Sequence, residues 1–116
     1  MLVSEERCSW CGVAVEPSDG WRAAGPGGER VATFCRLEHV VPWSIQGPRW
    51  EAGTISEPSD VADSLTLCAH CGEPLPQDYV LLVRHRGGHR IPDGFCSADH
   101  MADWAKRGGR WAPAAP

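Results

Sequence analysis

The clearest pattern of apolar and polar positions lies in the second half of the chain. Tyr79 to Arg84 (YVLLVR) is extended and apolar, Gly87-Gly88 follows, and a return runs through Arg90 and Ile91. Two such runs about a glycine pair predict a β-hairpin. Ser97 to Arg107 (SADHMADWAKR) reads as a helix, with Asp99 in its first turn, Lys106 and Arg107 in its last, and Gly108-Gly109 ending it. The first half carries weaker versions of both. WRAAGPGGERV places Gly27-Gly28 at the matching turn, and the matching helix holds Pro42, which removes a backbone donor and is expected to kink or stop it.

These echoes share one register. Cys8-x2-Cys11 followed by Cys35-x3-His39 returns as Cys68-x2-Cys71 followed by Cys96-x3-His100, and Phe34, Trp43 and Trp50 find counterparts in Phe95, Trp104 and Trp111 at offsets of 60 to 61. The chain therefore divides into a first module (1–50), an acidic linker (51–66), a second module (67–111) and a frayed tail (112–116). Units of this size bury too little apolar surface to fold unaided and usually need a metal, disulfides or a partner.

Each module gathers three cysteines and one histidine. Cys8, Cys11, Cys35 and His39 form one set, and Cys68, Cys71, Cys96 and His100 form the other. Three thiolates and an imidazole suit a tetrahedral structural Zn2+, so two structural zinc ions are expected. The Cys-x2-Cys pairs reach one ion across a tight turn whose next residue, Gly12 or Gly72, permits a positive φ. The i, i+4 spacing of the last two ligands would place both on one face of a helix. A secreted disulfide framework or an iron–sulfur centre are the other readings of six cysteines. MLVSEER has no apolar run after a basic start, so a cytoplasmic, reduced setting is expected and no membrane contact.

Knuckle, hairpin and a helix bearing the last ligands make the expected fold small α+β and metal-stabilised, two tandem treble-clef modules. Phe95-Cys96-Ser97-x2-His100 after a Cys-x2-Cys-Gly knuckle resembles the FCS-type zinc fingers, including TRASH and MYM-type modules; Phe34-Cys35-x3-His39 is a looser copy with Arg36 in place of Ser. That resemblance implies a treble clef used in protein interaction, nucleic-acid contact or metal handling. The second half is also similar to small bacterial zinc proteins described as DNA gyrase inhibitors, through Phe95-Cys96-Ser97 and Trp104-Ala105, with His100 where their pattern has a fourth Cys. His39-Val-Val-Pro resembles a stretch of HNH nucleases, whose metal is held by His and Asn. This chain has no Asn, and His39 is already assigned to zinc.

Charge narrows the partners. The formal net charge is −4, so no large positive face is available globally for a duplex. The dense basic patch lies at the second hairpin, where Arg84, Arg86 and Arg90 flank the turn with His85 and His89; Lys106, Arg107 and Arg110 follow on and after the helix. This surface reads either as a site for phosphate or an acidic partner, or as a solvated tip. Trp43 and Trp104 read as core, while Trp50 and Trp111 stay open between core and a stacking platform. His70, inside the second knuckle, reads as lying outside a complete ligand set.

No nucleophile with a partnered base and no phosphate-cradling loop is present, and four protein ligands leave zinc no open position. A non-catalytic adaptor binding a protein partner, with no small-molecule substrate, is the expected function. Nucleic-acid binding and metal sensing or trafficking are the alternatives. If one half carries recognition, the more regular residues 67–111 are the expected half.

Overall fold

The computed structural model describes residues 6–25, 29–53 and 65–108. Strands β1 (Glu6–Arg7) and β2 (Ala14–Val15) pair around the first knuckle. The weak first hairpin forms as β3 (Trp21–Ala24) and β4 (Arg30–Phe34), and β5 (Glu51–Ala52) adds to the outer side of β4. The second hairpin is β6 (Val80–Arg86) and β7 (His89–Phe95), with Gly87 at φ 59° in its two-residue turn. That positive φ is why a glycine stands there. Helix α1 covers Val40–Ile45 and α2 covers Ala98–Lys106.

The two hairpins do not stand apart. They join edge to edge, β3 against β6, in one antiparallel sheet of order β5-β4-β3-β6-β7. The register has a local two-fold logic. Trp21 and Val80 occupy corresponding places, each opposite the Phe that precedes the third cysteine. Two residues along each strand, Ala23 and Leu82 therefore correspond, and these two residues are paired with each other. The axis relating the halves passes through that pair, and both residues are fully buried. Joining the hairpins covers one edge of each, which removes two exposed strand edges. At the outer edge, β7 carries Pro92, which has no N–H to offer a further strand.

One face of the sheet carries the main core. Phe34, Val40, Val80, Leu82, Phe95 and Met101 are fully buried there, each burial contributing roughly 1.5–3 kcal/mol. Both helices lie on this face and touch each other, with Ser44 Oγ donating to Ala98 O at 3.3 Å. Trp104 packs against Phe95 of its own half and edge-on against Trp21 of the other, centroids 5.2 and 6.3 Å apart. On the opposite face Leu81 and Val83 gather Ala24, Val31, Leu65 and Tyr79.

Several expectations change. The i, i+4 pairs do not share a helix face. Cys35 and Cys96 each follow the end of a strand, and His39 and His100 lie a turn further on. A strand end and the helical turn after it bring the two ligands together instead. In the first half Leu37–His39 is a 3-10 turn and α1 begins only at Val40, which places Pro42 in its first turn where its missing donor costs little. The assigned linker is partly structured, since Glu51 pairs with Val31 in β5 and Leu65 packs beside Leu81. Residues 54–64, the tail 112–116, Arg110 and Trp111 lie outside the described residues. No helix among the described residues is long and apolar enough to cross a membrane.

Candidate metal centres

Each centre is assembled from three pieces of backbone that the fold brings to one place. In the first knuckle the Gly12 amide donates to Cys8 O at 3.0 Å with Gly12 at φ 81°, and in the second Gly72 donates to Cys68 O at 2.9 Å with φ 77°. These turns hold the first two sulfurs on the same side. A knuckle amide donates to the sheet in each half, Ser9 N to Thr33 O at 2.6 Å and Ala69 N to Gly94 O at 2.8 Å, and in the first half Thr33 N donates back to Ser9 Oγ at 3.0 Å. The third sulfur leaves the end of β4 or β7, and the histidine supplies Nδ1 from the following turn.

The ligand atoms of each set lie within 4.8 Å of one another. In the first, Cys11 Sγ and Cys35 Sγ are 3.6 Å apart, and His39 Nδ1 stands 3.5 Å from Cys8 Sγ and 3.3 Å from Cys35 Sγ. In the second, Cys71 Sγ to Cys96 Sγ and Cys68 Sγ to His100 Nδ1 are both 3.7 Å. A tetrahedral ion with Zn–S bonds of ~2.3 Å and Zn–N bonds of ~2.0 Å has S···S edges near ~3.8 Å and S···N edges near ~3.5 Å. A disulfide would need ~2.05 Å. The spacing fits a shared cation, and all six cysteines are free thiols. Two Cys3His groups at metal-binding distance, consistent with two structural zinc ions, are therefore features of this protein.

The thiols differ within each set. Burial raises the pKa of Cys8 and Cys68, but the backbone amides around them, together with His39 and His100, outweigh it and bring both down to about 6. Burial and the neighbouring sulfurs push Cys35 up to about 11 and Cys96 up to about 12. Burial disfavours the charged form, and the sulfurs already beside each site add their repulsion to it. A dication supplies the compensating charge that lets all three ionise.

Around the centres the halves diverge. Ser97 caps α2, its Oγ accepting from His100 N at 3.2 Å, and this fixes the turn that carries the ligand. Arg36, in the corresponding place, makes no side-chain cap. His70 lies against the His100 ring, centroids 5.0 Å apart, with Nε2 3.8 Å from Asp103 Oδ2. Trp10 holds the matching position in the first knuckle and is 38 % exposed.

The basic candidates are scattered. Arg84, Arg86 and His89 are exposed at the second hairpin, whereas Arg90 folds back and donates to Gly87 O and His89 O. Lys106 reaches Asp103 at 3.8 Å, and Arg107 is exposed at the end of α2. Trp50 is half-buried, edge-on to Trp43 at 4.9 Å. His85 leaves the patch. It is buried, with Nδ1 2.9 Å from Pro17 O, because its neighbours Arg84 and Arg86 point to the other side of the sheet.

Three residues that no sequence motif marks matter structurally. Arg22 is 2 % exposed. It donates to both carboxylate oxygens of Glu6, at 2.9 and 3.0 Å, and to the carbonyls of Glu16 and Asp19, so it ties β3 to the first knuckle. Asp93, in the same sheet row as Leu82, is buried with Oδ1 unpartnered, and burial pushes its pKa up to about 7. Trp21 packs between the halves. Arg22 was legible only as one of many arginines, but Trp21 stands out once the hairpins are aligned, since its counterpart is Val80.

The chain matches no protein-family model, no curated protein and no solved structure. What can be said of its class rests on the two ligand sets and on the sheet that joins them.

Proposed function

We propose that both centres hold structural Zn2+ and that the protein is a non-catalytic adaptor, a rigid two-zinc scaffold that presents a surface to a protein partner. The observation that carries this reading is the closure of both sets. Three sulfurs and one nitrogen lie within 4.8 Å of one another in each, and a tetrahedral ion that takes all four keeps no position for water or substrate. A closed site lends stability and geometry rather than Lewis acidity, and a chain this small gains from both.

The reading is tested by native mass spectrometry of the protein purified from its source without chelator. Two zinc ions per chain and a stoichiometric protein partner, lost together on chelation, are expected. Zinc that a small substrate displaces or re-coordinates, or turnover that tracks zinc loading, would overturn it. Nucleic-acid binding is the second reading, favoured by the exposed Arg84 and Arg86 beside Trp21. It predicts affinity that falls steeply with salt.

A further inference from the structure

Where β3 meets β6, a half-buried Trp21 lies under the guanidinium of Arg84, 5.2 Å from ring centroid to Cζ. This pair forms a common wall for two cavities. One, about 390 Å³, is lined by Trp21, Arg84, Arg36, Leu37, Ala105 and Glu38; the other, about 440 Å³, runs past Arg84 and Arg86 towards Cys35. The groove exists only because the halves share a sheet. Arg36 and Trp21 come from the first half, whereas Arg84, Arg86 and Ala105 come from the second.

The arginines here differ from those elsewhere. Arg22 is spent on Glu6. Arg36, Arg84 and Arg86 form no ion pair or hydrogen bond with a carboxylate among the described residues, although the protein has more acids than bases. Arg84 stacks on the Trp21 indole, Arg36 lines the first cavity beside them and Arg86 the second. An incoming carboxylate would accept paired N–H bonds from guanidiniums that no carboxylate of the described residues engages. The groove is not uniformly basic, since Glu38 lines one cavity and Glu16 and Asp19 the other. Those acids would repel a continuous phosphate backbone but leave room for a peptide, whose charges are spaced by neutral backbone. Trp21, Leu37 and Ala105 supply apolar contact between the cationic points.

We propose that this groove docks an acidic peptide segment with alternating carboxylate and apolar side chains, the carboxylates meeting Arg36 and Arg84 and an apolar side chain meeting Trp21. The proposal deepens the adaptor reading by giving it a partner chemistry. It also ties recognition to the first metal centre, because Arg36 stands between the ligands Cys35 and His39.

The test is fluorescence anisotropy on the zinc-loaded full chain, with a fluorescein-labelled octapeptide of alternating Glu and Leu. A Lys-Leu octapeptide and a thymidine octanucleotide are the comparison probes. The Glu-Leu peptide is expected to bind best. R36E and R84E should each weaken it at least about tenfold, the size expected for replacing a charge-assisted contact by repulsion. R49E, an equal charge change at an exposed residue outside the groove, should change affinity less than about twofold. Zinc content measured on each variant separates loss of the groove from loss of the fold. Tighter binding of the octanucleotide with the same dependence on Arg36 and Arg84 would overturn the peptide assignment, and unchanged Glu-Leu affinity in R36E and R84E would overturn the groove. If those variants still retain the native partner, the groove is wrong and the adaptor reading stands. If the wild-type chain has no partner, the adaptor reading falls.

Discussion

The two metal centres have the same ligands at nearly the same spacing, yet they are held differently. At the second, Ser97 caps the turn that carries His100, and His70 backs the imidazole ring. At the first, Arg36 supplies no cap, His39 sits in a 3-10 turn, and Trp10 stands partly in solvent. Ligand identity sets which metal chemistry is available, while the residues between and behind the ligands set how firmly the site is closed. The second centre has the stiffer support; the first has the arginine that faces the inter-half groove.

Removing a ligand is the severest way to probe that difference. A structural zinc site is worth on the order of 10 kcal/mol of apparent binding free energy. Cys8→Ser and Cys68→Ser are each expected to lose one zinc by native mass spectrometry. Because the halves share a sheet, each loss should lower the unfolding midpoint of the whole chain rather than melt one half alone. Two separate transitions by circular dichroism would contradict the shared sheet.

Asp93 gives a smaller effect whose sign is fixed by its surroundings. Its carboxyl titrates near 7 when folded against an ordinary 3.8, so the neutral acid is the form that the fold accepts. The contribution is intact below about pH 4 and is lost as pH rises through 7, a change of at most about 4 kcal/mol. Asp93→Ala, which copies Ala32 of the first half, should gain on wild type across that interval in denaturant unfolding. A difference that stays flat from pH 4 to 8 would show the carboxyl to be solvated. Arg22→Met is expected to cost about 2–3 kcal/mol, measured the same way, because it strands Glu6 and two carbonyls that the guanidinium now satisfies. A half-exposed Glu6 keeps the figure below that of a fully buried pair.

The caps should give the finest distinction. Ser97→Ala is expected to cost about 1 kcal/mol, whereas Arg36→Ser should add a few tenths to 1 kcal/mol by giving the first half the cap it lacks. Zinc release to a chromogenic chelator should follow the same order, faster in Ser97→Ala and slower in Arg36→Ser. The opposite order would mean that the caps do not govern closure.

Much of this arrangement was legible in the chain. The ligand sets, the two hairpins, the glycines of the knuckles and the shortened first helix all follow from local chemistry, because each depends on residues close in sequence. The pairing of β3 with β6 did not, since nothing in WRAA or YVLLVR states which edge will meet which. The burial of Arg22, Asp93 and His85 follows from that pairing and from where the first knuckle packs, so it was equally hidden. Trp21 is the instructive case. Its importance comes from contact with Trp104 and Arg84, both supplied by the other half.

The most direct test of two closed zinc centres is the zinc content of the intact chain by native mass spectrometry under non-denaturing conditions. Two zinc ions per chain are expected in wild type and one in either Cys8→Ser or Cys68→Ser. A wild-type mass with no metal and six hydrogens missing, the signature of three disulfides, would contradict it.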